Sequence, residues 1–272
     1  MIVLLHALWT PITIVLFVLL ARPRSNPLQR VAGAVLTTLS TRGGRRVLVA
    51  AAIVMAANFV ECLFEPHLAE LLGYDLTAWV RSVEGDLVER VQATLPPVLV
   101  APLAWFYLSG FVAAVVAPAI VWTDERRFTA VRALVIALAA NYAIGLWFYV
   151  FAPVREAAWS GLSDAKPLLD VLYPGLSAET RAGSAFDNCM PSLHVSLTAT
   201  TALVVWARRA KGDVALPLLA GACAALTAYA VMALGVHWAL DVAAGFALAA
   251  VCAGIGLRAG RERGESGAQP EG

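Results

Sequence analysis

Seven apolar runs, over residues 2–21, 46–64, 97–122, 130–152, 190–208, 216–236 and 238–258, constrain this chain more than anything else in it. Each approaches the ~20 residues that carry an α-helix across the ~30 Å hydrocarbon layer of a bilayer. Inside that layer the backbone must satisfy its own hydrogen bonds, which leaves only helices and closed barrels. Apolar runs of this length without strict alternation exclude the barrel. The fold expected is all-α: a polytopic transmembrane helical bundle of about seven helices. With 60% apolar residues, 14% charged residues and a mean hydropathy of +0.74, the composition is also far from that of a soluble domain. The first run has no Lys or Arg before it and a basic stretch after it, so it reads as a helix of the mature chain and not as a cleaved signal. Small residues four apart, Gly221 with Ala225 and Gly245 with Ala249 and Ala253, suit close helix contacts.

The cationic residues orient the bundle. Arg22, Arg24, Arg30, Arg42, Arg45 and Arg46 share one connection, and Arg126, Arg127 and Arg132 another. Arg208, Arg209 and Lys211 follow the fifth run, and Arg258, Arg261 and Arg263 the last. The alternate connections hold only Arg81, Arg90, Arg155, Lys166 and Arg181. Positive charge accumulates on the cytoplasmic side. The N-terminus is thus expected outside a plasma or cytoplasmic membrane, and the C-terminus inside. Residues 259–272 are polar and expected to be disordered. The expected division is an extra N-terminal helix with its basic loop (1–45), a membrane-embedded core (46–258) and that tail.

A net charge of +1 provides no uncompensated cationic surface, so nucleic acid is not an expected partner. Nothing in the sequence fixes an oligomeric state. Cys62, Cys189, Cys223 and Cys252 lack the spacing of a metal site and read as small core residues; a Cys62–Cys189 disulfide is the alternative, since both fall near the outer face. The outer connection 65–96 sets Leu68, Leu71, Leu72, Leu76, Trp79 and Val80 among Glu70, Asp75, Arg81 and Glu84, which suits amphipathic helices at the interface. It serves either as a solvated cap or as a lid over lipid entry.

Polar residues gathered at one membrane depth carry the functional signal, because ionisable groups in apolar helices are costly. His194, His237 and Asp241 all fall at outer helix ends. In His237-Trp238-Ala239-Leu240-Asp241 the spacing of four puts imidazole and carboxylate on one helix face. The carboxylate can then hold Nδ1–H and leave Nε2 as nucleophile or base. An ion pair stabilising a helix end is the plainer account of that spacing. Asn188-Cys189-Met190-Pro191-Ser192-Leu193-His194 reads as a helix start, with Asn188 as cap and Pro191 in the first turn. Its free amides and the Ser192 hydroxyl suit a phosphate, and His194 is placed to donate a proton to a leaving oxygen. An ordinary capped helix with an interfacial histidine is the alternative.

Together, Pro-Ser-x-His and, some forty residues later, His-x-x-x-Asp resemble the second and third signature blocks of the type-2 phosphatidic acid phosphatase and haloperoxidase superfamily. The wording from Asp187 to Val195 looks more like its inositol phosphorylceramide synthase branch, the inositol-phosphotransferase type. The resemblance covers residues 46–258. It implies a six-helix core, a phosphohistidine intermediate, and neither metal nor other cofactor. By position, His237 would be the nucleophile, Asp241 its orienter, His194 the general acid and Ser192 a phosphate ligand. The chain departs from the superfamily at its cations: Val231 stands where an Arg precedes the nucleophile, and Phe148 where a Lys opens the first block. Arg155 is the cationic phosphate ligand expected instead, with Arg181 and Lys166 as substitutes, although Arg155 could equally be a rim charge paired with Glu156 or Asp187.

The implied reaction moves a phosphoryl group from a lipid phosphate or phospholipid to water or to a polyol such as inositol, on the extracytoplasmic side. Membrane lipids are the expected partners. Two other classes fit the residues: a zinc hydrolase using His194, His237 and Asp241, and a transporter or scaffold without catalysis. The second would call for charged or broken helices at mid-membrane, where this chain has little beyond Asn141, Tyr142, Thr198 and Thr227.

Overall fold

A computed structural model describes residues 2–172 and 189–265, with side chains left out for 2–8, most of 54–70, 171–172 and 261–265. All seven apolar runs form helices: α1 (Ile2–Ala21), α3 (Arg42–Leu72), α6 (Pro97–Asp124), α7 (Phe128–Phe151), α9 (Leu193–Arg208), α10 (Ala215–Ala233) and α11 (Ala239–Glu265). Between them lie α2 (Pro27–Ser40), α4 (Thr77–Glu84), α5 (Leu87–Ala93) and the single turn α8 (Leu169–Leu172). No strand occurs among the described residues. Helices α6, α7, α10 and the Ala239–Gly260 part of α11 are long and apolar enough to cross a membrane. The chain is an all-helical integral membrane protein.

The shorter α9 is the hub, packed on α6, α7, α10 and α11. It buries Val195, Leu197, Val204 and Val205 together with four hydroxyls. Two of those hydroxyls are satisfied within the helix: Thr198 Oγ1 donates to the His194 carbonyl (2.9 Å) and Thr201 Oγ1 to that of Leu197 (2.8 Å). Asn141 on α7 reaches across. Its Nδ2 donates to the Ala137 carbonyl (2.8 Å) and to Thr200 Oγ1 (3.0 Å), and its Oδ1 accepts from the Ser196 hydroxyl. Thr200 Oγ1 continues to the Ala249 carbonyl of α11 at 3.4 Å. Outside this centre, α1 and α2 lie against α6, and α3 lies against α7.

Several boundaries differ from the sequence reading. The basic connection contains α2, started by Asn26, whose side chain accepts from the amides of Leu28 (2.9 Å) and Gln29 (3.3 Å), with Pro27 in the first turn. Helix α3 runs from Arg42 to Leu72, its end extended by the strong helix formers Ala69, Glu70, Leu71 and Leu72. Helix α11 runs to Glu265, so the tail expected to be disordered is helical over 259–265, where Arg261, Glu262 and Arg263 again favour helix; residues 266–272 lie outside the description. Gly245 makes the close contact expected of it: a Cβ there would sit 2.8 Å from the Ser192 carbonyl, with Ala249 and Ala253 buried along the same face. Gly221 and Ala225 do not, since both are exposed and an added Cβ at Gly221 would meet nothing within 4 Å. The Cys62 side chain is outside the description, and Cys189, Cys223 and Cys252 are buried.

The two ends of the bundle are knit separately. At one, Arg22 pairs with Glu125 (2.9 Å) and Asp213 (2.8 Å), and Arg30 with Asp124 (2.9 Å). The Arg127 guanidinium donates to the Arg208 carbonyl, and Arg208 Nη2 to that of Leu257 (3.1 Å). Four basic connections therefore meet at one end, as the alternation of charge requires. At the other end α4 and α5 close over the 153–168 segment. The Leu76 amide donates to the Pro153 carbonyl (3.0 Å), and the Gln92 side chain holds both the amide (2.7 Å) and carbonyl (2.9 Å) of Lys166.

Candidate active site

The turn between α10 and α11 sets the first imidazole. Gly235 has φ +79°, a conformation costly for other residues, and a Cβ there would meet the Lys166 carbonyl at 2.5 Å. The Val231 carbonyl then accepts from the amides of both Val236 and His237 at 3.0 Å. His237 is 4% exposed and Asp241 fully buried. Nδ1 of His237 faces Asp241 Oδ2 at 3.4 Å, which leaves Nε2 on the far side of the ring. The same carboxylate oxygen accepts from the Trp238 amide at 2.9 Å, and Oδ1 has no hydrogen-bond partner among the described residues.

The next two amides of α11 go to a residue 155 positions away. Glu84, the last residue of α4, accepts from the Ala239 amide (3.1 Å) and the Leu240 amide (3.0 Å), one on each oxygen. Two carboxylates thus take the unpaired donors of one helix start, where the helix dipole favours negative charge. Burial raises the Glu84 pKa from its ordinary value, and the two amide hydrogen bonds offset part of that rise. The fully buried Trp238 donates its Nε1 proton to the Arg155 carbonyl at 2.8 Å, joining this helix start to the 153–168 segment.

The second imidazole comes from α9. Helix α9 begins at Leu193, with Ser192 as its cap; Asn188, the cap expected from sequence, lies outside the described residues, and Pro191 precedes the helix. The Ser192 hydroxyl accepts from the Val195 amide at 3.5 Å, a weak cap that leaves its proton to donate. The Ser192 amide donates to the Asp241 carbonyl at 3.0 Å, so the two motif blocks are hydrogen-bonded to each other. His194 stacks on Tyr107 at 4.5 Å between ring centroids and lies 4.7 Å from Phe111. Its edge faces His237 at 6.0 Å. Tyr107 stands in a π-helical turn, Phe106–Gly110, within α6; such turns recur at functional sites.

Cations are sparse here. The Arg155 side chain is 55% exposed and pairs with Asp75 at 2.9 Å, not with Glu156. Lys166 is exposed, held by its backbone. Arg181 lies outside the described residues. Val231 is buried with Val195 and Val242, against the partly buried Tyr107, and Phe148 is half exposed on α7. The fold therefore assembles His194, His237, Asp241 and Ser192, and leaves the Arg155 guanidinium at the rim. Sequence reasoning missed the role of Glu84, the Trp238 bridge, the Tyr107–Phe111 wall and the Asp75 partner. Each depends on a contact across tens of residues that no local pattern encodes.

The arrangement offers one imidazole oriented by a carboxylate, a second beside it and a hydroxyl at a helix start, the equipment of acid–base and nucleophilic group transfer. A metal ion would meet a different set from the one expected. Atoms of Cys189, His237 and Asp241 lie within 4.8 Å of one another, whereas His194 turns to the aromatic wall. A tetrahedral zinc, with bonds of ~2.0–2.3 Å, would need this trio to tighten.

Residues 74–255 match the family model of the PAP2 superfamily, a span holding both motif blocks, the α4–α5 cap and the 153–168 segment. The match begins beyond α3. No curated protein and no solved structure matches the chain.

Proposed function

The chain belongs to the PAP2 superfamily, and from that premise we propose that it is a phosphatase or phosphotransferase acting on lipid phosphates or phospholipids. The observation that carries the reading is the pairing of two motif blocks. His194 and His237 come within 6.0 Å of each other, and the Asp241 that faces one ring also accepts, by its carbonyl, from the Ser192 amide. In the first half-reaction His237 Nε2 forms a bond to phosphorus as the bond to the leaving alcohol oxygen breaks, and His194 gives that oxygen a proton. In the second, His194 removes a proton from water or an alcohol, whose oxygen binds phosphorus as the N–P bond breaks. Asp241 holds the Nδ1 proton throughout and keeps Nε2 reactive.

Charge on the phosphoryl oxygens needs a partner. Ser192 can donate a hydrogen bond, and Arg155 is the first candidate clamp, since a guanidinium binds two phosphate oxygens at once. Its pair with Asp75 is largely solvated, and such pairs are worth only ~0–1 kcal/mol, so a phosphate can displace the carboxylate. Lys166 and Arg181 are further candidates. Water as acceptor makes the protein a phosphatase and inositol makes it a phosphotransferase; the wording of residues 187–195 favours the second. The catalytic core is taken to run over 46–258, with α1 and α2 as an addition.

The test is turnover by the reconstituted protein against lipid phosphates and phosphatidylinositol, with and without free inositol. Phosphate release or inositol-dependent transfer is expected without added metal. Activity that disappears with chelator and returns with zinc would replace this reading by a hydrolase built on Cys189, His237 and Asp241. The site is proposed to face outward, away from the basic end. In a background without native cysteines, Asp164→Cys should react with a membrane-impermeant maleimide on intact cells, and Arg126→Cys only after permeabilisation. The reverse pattern puts the site in the cytoplasm.

A further inference from the structure

At the basic end, far from the histidines, α3 and α7, with Gly260 of α11, line a cleft of about 400 Å³. Arg46 and Arg132 stand in its wall, and Val47, Ala50, Val135 and Ile136 form its apolar side. A second cleft of similar volume, more open, shares Arg46 and Ala50 and adds Arg42 and Arg45. One stretch of α3 thus carries cationic side chains flanked by two apolar grooves.

Among the described residues, the charge there is not spent internally. The acidic side chains described at this end are already engaged: Asp124 by Arg30, Asp213 by Arg22, and Glu125 by Arg22, Arg30 and Arg127. Among the described residues, neither Arg46 nor Arg132 has an ion-pair partner. Two guanidinium groups beside an apolar groove at the edge of a bilayer need an anion whose remainder is hydrocarbon, and the solvent around them supplies one.

We infer that the cleft between α3 and α7 is a binding site for an anionic phospholipid of the leaflet at the basic end, its phosphate held by Arg46 and Arg132 and its acyl chains lying in the two grooves beside Ala50. The volume suits a head group and the first carbons of its chains, being at the lower end of the ~300–1,000 Å³ of small-molecule sites. Basic pockets between helices on the positively charged side of membrane proteins hold acidic head groups by the same electrostatics. The site is independent of the reaction proposed at the opposite end.

The test reconstitutes the full chain in nanodiscs of equal phosphatidylglycerol and phosphatidylcholine and measures lipid retained after extraction, by native mass spectrometry with titration. Preferential retention of phosphatidylglycerol is expected. Arg46→Gln with Arg132→Gln should weaken it about thirtyfold, some 2 kcal/mol at ~1 kcal/mol per cation. Arg24→Gln with Arg209→Gln removes the same charge from the same end outside the cleft and should cost less than threefold. Ala50→Trp keeps every charge, fills the groove shared by both clefts, and should abolish retention. Equal retention of the two lipids, equal effects of the two double variants, or a lipid still held by Ala50→Trp would each overturn the inference.

Discussion

The two ends of this bundle handle charge in opposite ways. At the basic end Arg22, Arg30, Asp124, Glu125 and Asp213 neutralise one another side chain to side chain, bridging three connections. At the other end Asp241 and Glu84 are held by the backbone amides of Trp238, Ala239 and Leu240 where α11 starts, and Asp241 faces an imidazole. An ion-pair lattice leaves its members spent. A carboxylate held by amides keeps its position and can still act on a third group. The first arrangement suits fastening, the second chemistry, and substitutions should separate them.

The largest effect is expected at His237. His237→Ala removes the attacking nitrogen, so turnover and trapping of labelled phosphate on the protein should fall by at least ~10³-fold, while the variant remains monodisperse in detergent. Label on that variant would show that the nucleophile lies elsewhere. Asp241→Asn should lower kcat by ~10²–10⁴-fold, the range for a lost orienting carboxylate, and still permit slow labelling. A rate equal to wild type would reduce the His237–Asp241 pair to a fastening like those at the far end.

Arg22→Gln should do the converse. Its partner Asp213 is mostly buried and would lose its counter-charge, while Glu125 would keep Arg30 and Arg127, costing about 1–3 kcal/mol of stability and several degrees of thermal midpoint. The kcat of the folded fraction should be unchanged; a fall in kcat at full stability would mean that the two ends are coupled. The smallest effect is expected at the rim. Asp75→Asn frees Arg155 from its solvated pair and should lower KM about two- to fivefold with kcat constant, in line with ~0.2–1 kcal/mol for such a contact. A raised KM would show that Asp75 positions Arg155 and does not compete for it.

Much of the fold was legible because a bilayer demands long apolar helices: all seven runs formed helices, and four of them are long and apolar enough to cross. The amphipathic α2 was not, because arginines within a connection read as loop, although Asn26-Pro27 is a helix-start signal. The cap of α9 was assigned one turn too early for a related reason: Asn188 and Ser192 are both good caps, and only the chain path chooses. The histidines and Asp241 were legible through their spacing. Glu84 was not, since a carboxylate in a polar connection carries no mark of the helix start it will meet. Arg155 was found by position, but its carbonyl, not its guanidinium, is what the fold ties to the site, through Trp238.

Asn141 has a consequence for how such a chain comes together. A greasy helix turning among lipid tails meets nearly equivalent surroundings at every angle, because tails and aliphatic side chains attract it alike. Directional bonds end that indifference. With Asn141 of α7 bound to Ser196 and Thr200 of α9, and Thr200 reaching the Ala249 carbonyl of α11, three helices share a single azimuth about their axes. The asparagine works as a key on a shaft: it adds little to the grip between helices, and it selects the one rotation in which His194 and Asp241 arrive on the same side of the barrel of helices.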